Sequence, residues 1–316
     1  MKKNWMAWIY CLLLTAVIRC HLKRTEPLFF EEVAFGMAIP LFAMFAGFSI
    51  GGLLRKTKGV GVLSGVKLFL LPYLFWTLVY IVLNNFTLDV IIRKQSLNYS
   101  ATDFISAVFF ATGSVHTWFL AALIYVFIFH IALRKILSSD RAYKIAVLGV
   151  VCGAFLLHGR SFFDGCILTH FFGSEFMYVL SYFTLGVAFS LPKIKMYSSV
   201  FMVRYVLPIG SVIAVLSLLF LEVKISSRIF GVTLFLTTLV LPNVPTPRML
   251  FAVLPYTMGI YLTHLLFTSA IGVFLEVFGT GSICWIYAWP LAFMLFWCTW
   301  FVVWVSRKIP VLKNFV

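Results

Sequence analysis

Val115-His-Thr-Trp-Phe-Leu-Ala-Ala-Leu-Ile-Tyr-Val-Phe-Ile-Phe-His-Ile-Ala-Leu133 is the stretch that decides the class of this fold. It is close to the roughly 20 residues that an α-helix needs to cross a bilayer, and Arg134-Lys135 closes it. Its mouth sets an imidazole, a hydroxyl and an indole side by side at His116, Thr117 and Trp118. Polar chemistry of that kind at the end of an apolar helix asks for a reason.

The rest of the chain has the same character. With 62% hydrophobic and 11% charged side chains over 316 residues, it carries more apolar surface than a soluble domain of this length can bury. The expected class is therefore all-α integral membrane, one polytopic domain over 1–316 built as a bundle of about ten transmembrane helices. Punctuation by Gly, Pro and charge places the spans at 4–21, 33–53, 66–84, 115–133, 143–158, 174–190, 204–221, 228–241, 252–274 and 283–306. The fifth and eighth are short, and the eighth allows a tilted or re-entrant segment.

The net charge of +15 would suggest nucleic acid in a soluble protein, but here its placement matters more than its size. With the N-terminus inside, 17 of the 25 Lys and Arg residues fall on the inner face and nine of the ten acids on the outer one. Basic residues prefer cytoplasmic loops, so the asymmetry supports the count, puts both termini in the cytoplasm and leaves no call for nucleic acid. Multi-pass insertion in the cell's inner or plasma membrane is the expected location, with the lipid bilayer itself as a partner.

Cys11, Cys20, Cys152, Cys166, Cys284 and Cys298 lie within or beside apolar runs without metal-type spacing, which argues against a disulfide framework or a zinc site. Lys2-Lys3 before an apolar run resembles a signal peptide, yet Arg19-Cys20-His21 ends that run with no small-x-small cleavage site, so a retained first helix is expected. The longest loop, 85–114, is expected outside, with a short interfacial helix over 104–111 after Asp103. Paired broken helices of the transporter kind are not evident in the two halves.

Histidine is the side chain whose proton moves near neutral pH, and His21, His116, His158 and His170 all fall at outer helix ends or outer loops. Such a cluster suggests acid-base work, against the plainer reading of solvated interfacial rings. His21 closes the first helix with Arg19 two residues before it, a cation near enough to bear on its charge. His264 lies well inside the ninth span, where ionisable groups are expensive and face the bundle interior. Tyr261 and Thr257, three and seven residues earlier, share its helical face. His130 reads as a helix-packing residue. Arg55, Lys56 and Lys67 form a weak candidate for holding an anionic cytosolic ligand, since positive-inside bias alone predicts such a cluster.

Several separated pieces of this chain resemble the membrane-bound acyltransferase 3 family. His116-Thr-Trp-Phe-Leu resembles the family's His-x-Trp-Phe-Leu opening of its fourth helix, and Thr257-Met-Gly-Ile-Tyr-Leu-Thr-His264 is similar to its Ser-x-Gly-Ile-Tyr-Leu-x-His motif. Ile39–Phe48, Leu71–Trp76 and Phe183-Thr-Leu-Gly186 look like its second, third and sixth helices. The family's first helix carries an Arg, ten residues and a His; the His matches His21, whereas the Arg position holds Tyr10. Its Ser before Gly in the second helix is Ala46 here.

The resemblance implies a ten-helix O-acyltransferase that moves acetyl, or another short acyl group, from cytosolic acetyl-CoA or other acyl-CoA to a hydroxyl of a surface polysaccharide or lipid-linked glycan. No permanently bound cofactor or metal is implied; acyl-CoA is a substrate. The expected roles are His21 as general base, Arg19, His116, Trp118, Tyr261 and His264 in substrate binding, and Arg55, Lys56 and Lys67 at the donor. Two alternatives stand beside this reading: a transporter or flippase for a small acid or lipid-linked sugar, and a family member impaired by Tyr10.

Overall fold

The computed structural model describes residues 3–22, 29–56, 62–86, 117–137, 139–159, 167–191, 205, 207–220, 223–240, 246–277, 285–310 and 312–314. Among these residues the secondary structure is all helical. In chain order the helices are α1 (Lys3–His21), α2 (Phe29–Lys56), α3 (Val62–Phe86), α4 (Thr117–Ile136), α5 (Asp140–Gly159) and α6 (Ile167–Ser190). There follow α7 (Leu207–Phe220), α8 (Val223–Val240), α9 (Arg248–Val253), α10 (Thr257–Val277) and α11 (Trp285–Ser306). A 3-10 turn, Leu254–Tyr256, joins α9 to α10. Each apolar range expected from the sequence overlaps helix. Four segments, Glu32–Gly52, Trp118–Ile136, Arg248–Leu275 and Tyr287–Ser306, are long and apolar enough to cross a membrane. The interfacial helix expected over 104–111 lies outside the described residues.

Large apolar side chains lie along the exposed faces of several helices. On α3 the outward stripe is Leu71, Leu74, Leu78 and Val82, spaced three to four residues apart, while Phe69, Tyr73, Trp76, Thr77, Tyr80 and Ile81 are buried. A helix at a water surface has this pattern reversed, with polar residues on its outer stripe. Phe293, Met294, Phe301, Trp304 and Val305 on α11, and Ile209, Val212, Ile213, Val215 and Leu216 on α7, repeat it. Apolar faces of this extent mark contact with a membrane or another apolar partner.

Several helices begin earlier than hydropathy suggests, and two of these starts have a local reason. α5 starts at Asp140 and runs for 20 residues, three residues before the expected limit. An acidic first turn suits the positive end of a helix dipole, and Arg134 pairs with Asp140 while its guanidinium lies 5.1 Å from the Tyr143 ring centroid. α8 gains its first residues because Ser226 and Ser227 are buried despite their hydroxyls. The Ser226 hydroxyl donates to the Ser217 carbonyl at 2.7 Å, and Ser227 stands directly against the backbone of Gly36.

The chain divides into two compact units, Met1–Ala38 with Ser199–Val316, and Ile39–Ser198, the boundary falling inside α2. In the first unit α1 packs against α9, the 3-10 turn, α10 and α11, α10 against α11, and α7 against α8. In the second, α4 packs against α3 and α6, and α5 against α6. Here α2 and α6 also cross at backbone contact. A Cβ on Gly47 would overlap the Phe183 carbonyl, one on Gly186 the Met44 carbonyl, and one on Gly51 the Ser190 side chain. Gly47-Phe-Ser-Ile-Gly51 faces Gly186-Val-Ala-Phe-Ser190, so small residues four apart on both helices let the backbones meet. His130 is buried beside this crossing, its Nε2 2.9 Å from Thr184 Oγ1 and its ring 5.5 Å from that of Phe183. It is the helix-packing residue expected, with a polar bond added.

Candidate functional site

The site in the first unit is built where α1 ends against α10. His21 is the last residue of α1. There it meets His264, with ring centroids 5.5 Å apart and planes at 45°. Phe35 of α2 closes another side, edge-on at 5.9 Å. His264 is 1% exposed, whereas His21 is half-buried. His264 is thus sealed in the helix bundle, and His21 is partly exposed with its Nε2 buried.

His264 is held by its own helix. Its Nδ1 lies 2.6 Å from the Tyr261 carbonyl oxygen, and a carbonyl only accepts. In the neutral ring the proton therefore sits on Nδ1 and the lone pair on Nε2. A ring nitrogen fixed through its partner atom is how proteins select a histidine tautomer. The Tyr261 ring, 8% exposed, lies 5.9 Å from that of His264, so the expected pairing of these two side chains on one face is present. Thr257 departs from the expected stripe: its hydroxyl turns back to the Leu254 carbonyl at 3.2 Å and satisfies the 3-10 turn instead.

Arg19 is fully buried and is among the largest such side chains in the protein. Withdrawing a guanidinium from water is costly unless its surroundings answer its charge, so a buried Arg two residues from His21 is a strong local requirement of this helix end. From the sequence Arg19 is a substrate-binding candidate through its place beside His21, and the structure adds that its side chain is buried.

The remaining candidates fall elsewhere. Trp118, half-buried on the first turn of α4, belongs to the second unit and meets Phe119 edge-on at 6.0 Å. His116 lies outside the described residues, as do the side chains of Arg55, Lys56, Lys67, His158 and His170. The described cysteines Cys11, Cys20, Cys152 and Cys298 form no disulfide. Among the described residues no three His, Cys, Asp or Glu side chains gather as metal ligands would.

Two side chains absent from the sequence reading bear on the site. Arg307 Nη1 donates to the Pro255 carbonyl at 2.9 Å, and Trp300 Nε1 reaches the Ala252 carbonyl at 3.5 Å. Trp300 lies on α11 and Arg307 just past its end, and both grip the chain just before α10. Pro255 was the available signal, since a proline inside an apolar run interrupts the regular helix, here as the 3-10 turn that these side chains contact.

Chemically, the arrangement offers two facing imidazoles, one of defined tautomer, a buried cation and a phenol-bearing ring. That set suits moving a proton and answering negative charge in a dry environment. Comparison with protein-family models, with curated proteins and with solved structures finds no match to this chain.

Proposed function

We propose that this protein is a membrane-bound acyltransferase of the acyltransferase 3 type, crossing the membrane ten times with both termini in the cytoplasm. It moves acetyl or another short acyl group from cytosolic acyl-CoA to a saccharide hydroxyl of the cell surface or of a lipid-linked glycan. The observation that carries this reading is the His21–His264 pair, 5.5 Å between ring centroids, drawn from opposite ends of the chain. Each of these residues belongs to a stretch that resembles the family.

In the proposed step His21 removes the proton of the acceptor hydroxyl as its oxygen attacks the thioester carbonyl. The new C–O ester bond forms, the C–S bond breaks, and the coenzyme thiolate leaves and takes up the proton. Charge that builds on the carbonyl oxygen in between needs a nearby donor or cation, the role assigned to Arg19. His264, its tautomer set by Tyr261, orients the His21 ring and the acceptor. His116 and Trp118 bind acceptor at the mouth of α4, and Arg55, Lys56 and Lys67 receive the phosphates of the donor.

The test is His21→Ala and His264→Gln in cells, reading acylation of surface glycan at matched membrane levels of protein. Loss in both variants supports the reading; unchanged acylation in His21→Ala refutes it. The 3-10 break before α10 favours one second reading, a transporter, because interrupted helices line transporter sites. Radiolabelled substrate crossing the membrane with no acylated product would establish that one. Tyr10→Arg restores the family spacing, and silence in both it and the parent would indicate an impaired member.

A further inference from the structure

The segment that carries His264 is hinged at Pro255. Arg248–Leu275 forms a 28-residue apolar segment, but proline lacks an amide hydrogen and its ring crowds the carbonyl one turn back. The chain answers with the 3-10 turn Leu254–Tyr256 between α9 and α10. Short 3-10 stretches inside a helix are soft points and often hinges. This one is clasped by Trp300 of α11 and by Arg307 just past its end. Arg307 holds the Pro255 carbonyl at 2.9 Å and stands 5.1 Å from the Tyr256 ring centroid, while Trp300 reaches the Ala252 carbonyl and meets the Tyr256 ring edge-on at 6.4 Å. Guanidinium suits this double duty, being a permanent cation with a rigid fork of donors and a face that stacks on aromatic rings.

We propose that Arg307 is a positioning residue: by clasping the Pro255 break it sets the direction of α10 and hence the placement of Tyr261 and His264 against His21. The lever can be estimated. His264 lies seven residues beyond Thr257, roughly 10 Å at 1.5 Å per residue, so a swing of about 10° at the break moves its ring by about 2 Å. Misplacement of about 1 Å in a reacting constellation is enough to lower a rate on the order of 10²-fold. The consequence for acyl transfer rests on the function proposed above; the clasp itself does not.

The experiment uses the full chain in lipid nanodiscs, its cysteines replaced and nitroxides placed at Leu12 of α1 and Phe274 of α10, both more than half exposed. Phe274 is about 26 Å from the break, so the same swing displaces it by about 4 Å, within reach of electron-spin distance measurement. Arg307→Gln broadens or shifts the distance distribution, Arg307→Lys restores most of it, and Tyr256→Phe, which keeps the ring face, leaves it unchanged. An Arg307→Gln distribution as narrow as the parent's overturns the proposal. If Arg307→Gln does not fold, Arg307→Met carries the test, because it keeps an unbranched stem and loses the donor and the charge: broadening supports the clasp and an unchanged distribution overturns it. In the acylation assay Arg307→Gln lowers kcat on the order of 10²-fold with the donor KM unchanged. A broadened distribution in a chain whose parent transfers no acyl group leaves the clasp standing and removes the acyltransferase reading.

Discussion

Replacing Gly47 or Gly186 by alanine tests the α2–α6 crossing directly. The new methyl on Gly47 would lie well inside contact distance of the Phe183 carbonyl oxygen, and that on Gly186 well inside contact distance of the Met44 carbonyl oxygen. Neither obstacle is a side chain that can rotate away, so the helices must separate. Overpacking of this kind costs typically about 1–3 kcal/mol, against which the helix preference of alanine over glycine returns up to about 1 kcal/mol. The expected net loss is roughly 1–2 kcal/mol for each variant. At about 2–4 °C per kcal/mol for a chain region of this size, the midpoint of thermal unfolding in detergent falls by several degrees. The double variant loses less than the sum, because one separation relieves both collisions. Gly52 and Gly149 supply the control: a Cβ there meets nothing within 4 Å, so Gly52→Ala and Gly149→Ala gain the propensity term alone and hold or raise the midpoint. If Gly47→Ala melts together with Gly52→Ala, the close crossing is not what holds α2 to α6.

Two smaller perturbations bear on the second unit. Thr184→Val keeps the shape of the side chain but removes the partner of His130 Nε2, and should lower stability by about 0.6–1.7 kcal/mol, the range for hydrogen bonds between membrane helices; a denaturation series with no shift would show the bond to be idle. Arg134→Gln removes the ion pair with Asp140 and the contact over Tyr143, both at a helix end, with Asp140 75% exposed. The expected change is below about 1 kcal/mol and shrinks further in high salt, which thermal unfolding at two ionic strengths would read.

The order of the helices was legible along the chain because lipid imposes long, uninterrupted apolar runs, and Val115–Leu133 shows that demand plainly. The limits were less so. Hydropathy discards Ser226 and Ser227 from α8, whereas local hydrogen bonding and a facing glycine retain them. His21 was singled out from its position at a helix end, and His264 from the expense of an imidazole within an apolar span. That the two rings meet could not be read, because nothing in a linear pattern tells which helix ends face each other.

By itself, then, the sequence determined the membrane class, the helical segments and the residue types able to move a proton. Tertiary structure decided the rest: which small residues are contacts rather than spacers, as at Gly47 and Gly186; that Arg19 is buried; that Arg307 clasps the break at Pro255; and that His264 stands against His21. The physical reason is that burial of apolar surface against lipid is local and nearly additive along a helix. Pairing between helices depends instead on the shape and polarity of both faces at once, and one chain order does not record both.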